Sequence, residues 1–252
     1  MSKTVRRYGW VCDLPDHRDF MYQGSLPPKA TTLPPMVDLR DGCSPVEDQK
    51  QLGSCTANAL VGNLEFLEKK ARDIFYTDLS RLFIYYNERA LEHTVASDSG
   101  ATLRDGIKTL KAYGVCSEGT WPYQVTKFRA KPSVSCYREA SKHKISSYHR
   151  IMSLNDMKFC LAEGYPFVLG ITLYETFESA GVAKSGVVYM PRPGERALGG
   201  HAVMAVGYDD TNNRFLIRNS WGKDWGQDGY FTIPYNYLAN ENLCDDAWTI
   251  RK

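Results

Sequence analysis

Several things are missing from this 252-residue chain, and each absence narrows its function. No apolar run reaches the ~20 residues a membrane-spanning helix needs. The start, MSKTVRRYGWVC, carries Lys3, Arg6 and Arg7 but no apolar stretch after them, so it does not read as a secretory signal. That predicts a cytoplasmic protein by default, unless a leader was trimmed or export uses another route. Neither charge sign dominates: 31 basic residues face 29 acidic ones. Nothing here predicts nucleic-acid or membrane binding. Arg6-Arg7 reads as a solvated terminus. There is no CxxC pair, no internal repeat and no low-complexity tract. Without CxxC pairs, a structural zinc site is not expected, and no metal or cofactor is predicted. His143 and His149, with no cysteine nearby, read as surface histidines.

What remains is an ordinary soluble composition, 43% hydrophobic and 24% charged, on a chain long enough to bury a real core. Seven cysteines are more than a cytosolic chain needs and fewer than a disulfide-rich module carries. If one is catalytic, Cys12, Cys43, Cys116, Cys136, Cys160 and Cys244 remain. Sequence does not choose among their pairings.

Residues 1–35 differ from the rest. They are charged and irregular around DLPDHRDF, and Pro27-Pro28 and Pro34-Pro35 disfavour helix. They read as an N-terminal extension. Helical periodicity begins at residue 54. Ser54 stands at the N-cap position, and Ala57, Leu60, Val61, Leu64 and Leu67 repeat at helical spacing. A second helix is predicted at about 79–92. A third follows Thr102, with Asp105 completing a capping box and Gly114 as the stop. A fourth, short one opens at Ser153 and ends at Gly164. Beyond it the apolar runs are short: 167–174, 201–208, 214–221 and 229–234, with DDTNN at 209–213 as a turn. A helical half followed by a β-rich half predicts an α+β fold.

Three residues from separate stretches make a chemical set. Cys55 in QLGSCTANAL falls in the first turn of a helix, where the positive end of the macrodipole favours thiolate. His201 in LGGHAVMAVGY starts an apolar strand after two glycines. Asn219 in RNSWG ends the next strand, and its amide oxygen can hold an imidazole ring in place. Trp221 could shield that hydrogen bond from water, whereas Trp225 reads as packing. Each residue alone is as compatible with structure as with catalysis. Together they fit a thiolate nucleophile, its acid/base partner and an orienting group.

The blocks Gln49…Gly53-Ser54-Cys55, Gly200-His201-Ala202 and Asn219-Ser220-Trp221-Gly222 resemble the papain family of cysteine peptidases. The likeness runs from about Val37 to the C-terminus. It implies a papain-like two-lobed α+β fold, with a helical left lobe over 36–143 and an antiparallel β-barrel-like right lobe over 144–252. The active site would lie in the cleft between them. It implies peptide or protein substrates, hydrolysis through a thioester, and a monomer. Gln49, six residues before Cys55, matches the family's oxyanion glutamine. Ser99-Gly100 stands where the family has a Gly-Gly that bonds the substrate backbone. Gly170, Gly199 and Ala202 match walls of S2, the pocket for the second residue before the scissile bond. Gly200 and Trp221 complete the expected substrate-binding set. Small walls predict tolerance of bulky side chains.

The chain departs from the family at Leu52 and Thr56, which replace its usual Cys and Trp. Cys136 resembles a disulfide position without an evident partner, so no disulfide is carried over. With no long insertion between Cys55 and Gly100, endopeptidase action is expected. Residues 1–35 are too few for a globular inhibitory domain. They read as a short prosegment across the cleft or as a surface clamp. The rival readings are a catalytically silent module of the same fold and a Cys/His acyl transferase. Asn219 as third member speaks against the latter.

Overall fold

A computed structural model of the chain describes residues 7–24, 33–72 and 77–252. The Pro27-Pro28 pair, Lys3 and Arg6 lie outside them. Strand β1 (Trp10–Val11) and β2 (Met36–Asp38) precede the long helix α1 (Cys55–Arg72). Then come α2 (Arg81–Leu91), β3 (Ala101–Thr102), α3 (Leu103–Ala112), α4 (Val134–Ala140), β4 (Ser147–Arg150) and α5 (Leu154–Ala162). The chain ends with β5 (Phe167–Tyr174), α6 (Ala180–Ser185), β6 (Ala197–Asp209), β7 (Arg214–Arg218), β8 (Tyr230–Pro234), α7 (Tyr235–Leu238) and β9 (Cys244–Arg251).

Local chemistry sets most helix starts. The side chains of Ser80, Thr102 and Ser153 accept from Phe83, Asp105 and Asp156 N–H, capping α2, α3 and α5. Gly114 and Gly164 take left-handed φ of 79° and 80° just past two of these helices. At α1 the Ser54 carbonyl accepts from Asn58 N–H at 3.0 Å, but its hydroxyl turns to Tyr123 Oη at 2.6 Å. That hydroxyl is spent on tying the helix start to the 121–123 loop.

The sheet has seven strands in the order β4-β9-β5-β6-β7-β8, with β2 joining on β6, and every pairing is antiparallel. Among the described residues no pairing joins β8 to β4. Two hydrophobic clusters use alternate residues of the same strands, as period-2 geometry requires. Ala202, Met204 and Val206 of β6 pack with the helices, while Val203 and Ala205 pack with α5, β7 and β8 residues. Strand β6 is thus the wall between the helical layer and the outer core.

Two sequence expectations need amendment. His143 is buried, not on the surface: its Nδ1 meets Glu68 Oε1 at 2.9 Å. The polar neighbourhood of His143 hides a partner 75 positions away. Cys136 does have a neighbour: its thiol hydrogen-bonds that of buried Cys116. All seven cysteines are free thiols.

Candidate active site

Strand β6 carries His201, paired with Ile171 of β5. Its Nε2 meets Asn219 Oδ1 at 2.9 Å, and both residues are buried. Asn219 is held there from two sides: its N–H donates to Gly229 C=O at 3.0 Å, and Oδ1 also accepts from Ser220 N–H at 2.9 Å. Trp221 lies beside the imidazole, with ring centroids 5.1 Å apart, and Phe177 and Trp225 pack edge-on against its indole. The pair therefore sits in an aromatic, water-poor wall, where a hydrogen bond is stronger than in bulk.

Cys55 is the first residue of α1 and is fully buried. The backbone N–H groups of Ala202, the residue after His201, and of Gly9 and Thr56 stabilise the charged form of its sulfur. Burial pushes its thiol up to about 11, against the pull of those N–H groups. In this closed state the thiol is neutral.

Gln49 is buried, its Oε1 taking Ser220 Oγ–H at 2.6 Å, which fixes the amide. Its Nε2 donates to Leu52 C=O at 2.9 Å and to Arg7 C=O at 3.3 Å. A backbone carbonyl of the N-terminal segment thus stands on the amide that the resemblance assigns to an oxyanion.

That segment fills the cleft. Tyr8 stacks edge-on to His201 and tilts toward Trp221, each at 6.5 Å, while its hydroxyl bonds Glu178. Gly9 passes so close to Gly53 that an added Cβ would lie 1.8 Å from the Gly53 carbonyl oxygen. Gly9 C=O accepts from Ala101 N–H at 2.8 Å, and β1 runs parallel to β3 in the register Trp10↔Ala101. Gly100 has a φ of 72°, and a Cβ there would lie 2.1 Å from Gly9 O, so only glycine fits. The Trp10 indole covers two glycines: a Cβ on Gly170 would lie 1.9 Å from it, and one on Gly200 2.7 Å. Gly199 meets Tyr8 in the same way, at 3.1 Å. Ala202 is buried against Cys55. Of the expected substrate-binding set, Ser99 alone turns away: it is exposed and bonds Thr94 Oγ1 and Gly100 O.

Residues 33–247 match the papain family cysteine protease family. The chain belongs to the papain family. A peptidase C1-like protein of Acanthamoeba polyphaga mimivirus is 41% identical over all of this chain and 88% of its own. Chymopapain of Carica papaya is 28% identical over 91% of this chain, which spans only 61% of it. Among solved structures, xylellain, a cysteine protease from Xylella fastidiosa, superposes with a TM-score of 0.91 at 40% identity. That match covers 100% of this chain and 98% of xylellain. The α+β fold is accordingly papain-like, and the activity class is cysteine peptidase.

Sequence reasoning did not find three groups at this site. Tyr8, Gly9 and Trp10 carry no motif of their own; only the glycines at 53, 100, 170, 199 and 200 hinted at a backbone approaching closely.

Proposed function

We propose that the protein is a cysteine endopeptidase held in a latent state by its own N-terminal segment. Cys55 is the nucleophile, His201 its acid/base partner, Asn219 the orienting group and Gln49 the oxyanion donor. The lobes divide near residue 143. The observation that carries this reading is that residues 7–10 lie across Gln49, His201 and the entry to α1 at once. Arg7 C=O rests on Gln49, Tyr8 against His201 and Trp221, and Gly9 against Gly53, two residues before Cys55.

Once the segment withdraws, water reaches the cleft and the burial that keeps the thiol neutral is relieved. A proton then passes from Cys55 to His201, and the imidazolium further favours thiolate. The sulfur attacks the scissile carbonyl carbon, and its oxygen takes the negative charge next to Gln49 Nε2. Collapse of that intermediate breaks the C–N bond, with His201 protonating the leaving amine. Water, deprotonated by His201, then attacks the thioester and frees the carboxylate and the thiol. Losing an oxyanion donor typically costs ~10²–10³ in kcat, the scale expected for Gln49→Ala.

The test is a cleavage profile of a mixed peptide library, read by mass spectrometry, for the wild-type chain and Cys55→Ala. Internal cuts by the wild type that vanish in Cys55→Ala are expected. Amine-transfer products would instead favour an acyl transferase. A folded Gly9→Ala chain that leaves both the library and a thiol-directed epoxide untouched would favour a silent module.

A further inference from the structure

The Trp10 side chain lies in a pocket whose walls are Gly170 and Gly200, and the far side of that pocket is acidic. The indole Nε1–H donates to Asp246 Oδ2 at 3.1 Å. The same oxygen accepts from Asp13 N–H at 2.7 Å, while Oδ1 pairs with Arg150 at 2.9 Å. Asp246 is fully buried.

Its aim into the pocket is built into the strand. Pairing of β5 with β9 loses register between Val168↔Trp248 and Gly170↔Asp245, so β9 bulges at Asp246. There the backbone takes a φ of 55°, a left-handed value that a non-glycine residue adopts only at a cost. Bulges of this kind turn a side chain off its regular direction. Asp245 Oδ1 accepts from Asp246 N–H at 2.6 Å and helps hold the turn.

The surroundings leave an excess of negative charge. Asp13, Asp19, Asp245 and Asp246 gather around Arg104 and Arg150, four carboxylates for two guanidinium groups. The exposed Cys12 thiol also faces Asp245, at 3.6 Å. Burial first, then the Asp246 charge for Asp13 and the Asp245 charge for Asp246, hold both above the ordinary carboxylate range. A cation entering next to Asp246 would offset that repulsion. Asp13 keeps its own partners in the body, Arg104 N–H at 3.1 Å and Trp248 Nε1–H at 3.0 Å. Withdrawal of residues 7–10 alone therefore removes one of the two donors to Asp246 Oδ2, the Trp10 indole, and leaves the Asp13 N–H in place. The lone pair so vacated, in a buried and acid-rich site, favours a ligand that brings a donor over one that does not.

We infer that Asp246 is a specificity-determining residue, and that the vacated Trp10 pocket selects substrates with Arg or Lys in the position that Trp10 mimics. This rests on the latency reading above, because the pocket must be emptied first. Purely apolar side chains of similar size would leave the Trp10 donor to Asp246 unreplaced. Trp is tolerated, as Trp10 itself shows, but brings no charge.

The experiment uses the full chain carrying Gly9→Ala to loosen the segment, with matched peptides bearing Arg, Lys, Trp, Leu or Phe in that position. The expected result is a kcat/KM for Arg and Lys exceeding that for Leu and Phe by about tenfold or more. Asp246→Asn in the same background should lower the Arg-over-Leu ratio severalfold. Equal or reversed preference in the unmutated pocket overturns the inference while leaving the peptidase reading intact. Hydrolysis of no peptide at all, with Cys55 unlabelled by an epoxide, refutes the peptidase reading and this inference with it. Should Asp246→Asn fail to fold, the occupant itself serves as probe with Asp246 intact. Trp10→Arg should preserve latency and melting temperature better than Trp10→Leu, and the reverse order overturns the inference.

Discussion

Residues 7–10 and residues 12–22 belong to one continuous segment yet are held by different physics. The first stretch is held mostly by fit: glycine against glycine, an indole over two glycines, and two backbone carbonyls on Gln49 and Ala101, with side-chain bonds from Arg7 to Asp98, Tyr8 to Glu178 and Trp10 to Asp246 at its margins. The second is held by charge and strong hydrogen bonds. Asp13 is buried among Arg104 N–H and Trp248, Asp19 pairs with Arg104 at 2.7 Å and Arg150 at 3.5 Å, and Tyr22 donates to Glu163 at 2.6 Å. A plug that depends on shape can leave while an anchor that depends on charge stays.

The sharpest way to break the comparison is Gly9→Val. Its side chain would collide with the Gly53 backbone. Overpacking of about 1–3 kcal/mol corresponds to a rise of roughly 5- to 150-fold in peptidase activity. The melting temperature should fall little, because the anchor is untouched; both are read on one preparation. Asp13→Ala attacks the other end. It strands Arg104 N–H and the Trp248 indole, at about 1–3 kcal/mol each, and relieves the repulsion of Asp246. A net loss of about 2 kcal/mol in urea unfolding is expected, with a smaller gain in activity than Gly9→Val gives.

A pH series separates the two stretches further. Burial first, and the Asp246 charge second, raise the Asp13 carboxyl in the docked state. A group raised on docking favours the docked state at acid pH, and that contribution is lost as pH rises through the raised value. The stability of the folded chain in urea should therefore fall as pH rises through about 7. In Asp13→Asn this component of the fall should disappear. The smallest effect belongs to Ser99→Ala. Its hydroxyl bonds only its own loop, so activity and stability should stay within about 0.5 kcal/mol of wild type.

How much of this was legible depends on how far each interaction reaches. Helices α2, α3 and α5 were readable because their caps lie three residues from the groups they satisfy. The apolar runs of β5 and β6 were readable because both of their faces are buried. Strand β9 was not, since Asp245-Asp246 interrupts its apolar pattern, and its bulge has meaning only opposite β5. Strand β4, SYHR, has no apolar alternation; β9 alone makes it a strand. At the site, Cys55, His201, Asn219 and Gln49 were legible jointly, through their residue types and order. That Trp10 would cover Gly170 was not, because nothing local ties residue 10 to residue 170. The small walls predicted a roomy pocket, and a Trp side chain occupies it. The acid beyond was missed because Asp246 reaches the pocket by way of a backbone conformation that composition does not signal.

The claim that the N-terminal segment lies on the nucleophile is tested most directly by the rate at which an epoxide alkylates Cys55 in the folded, full-length protein. Mapped by mass spectrometry, alkylation should be slow in the wild type and at least about tenfold faster in Gly9→Val, a change of 1.4 kcal/mol or more in plug occupancy. Equal rates for the two proteins would contradict the account.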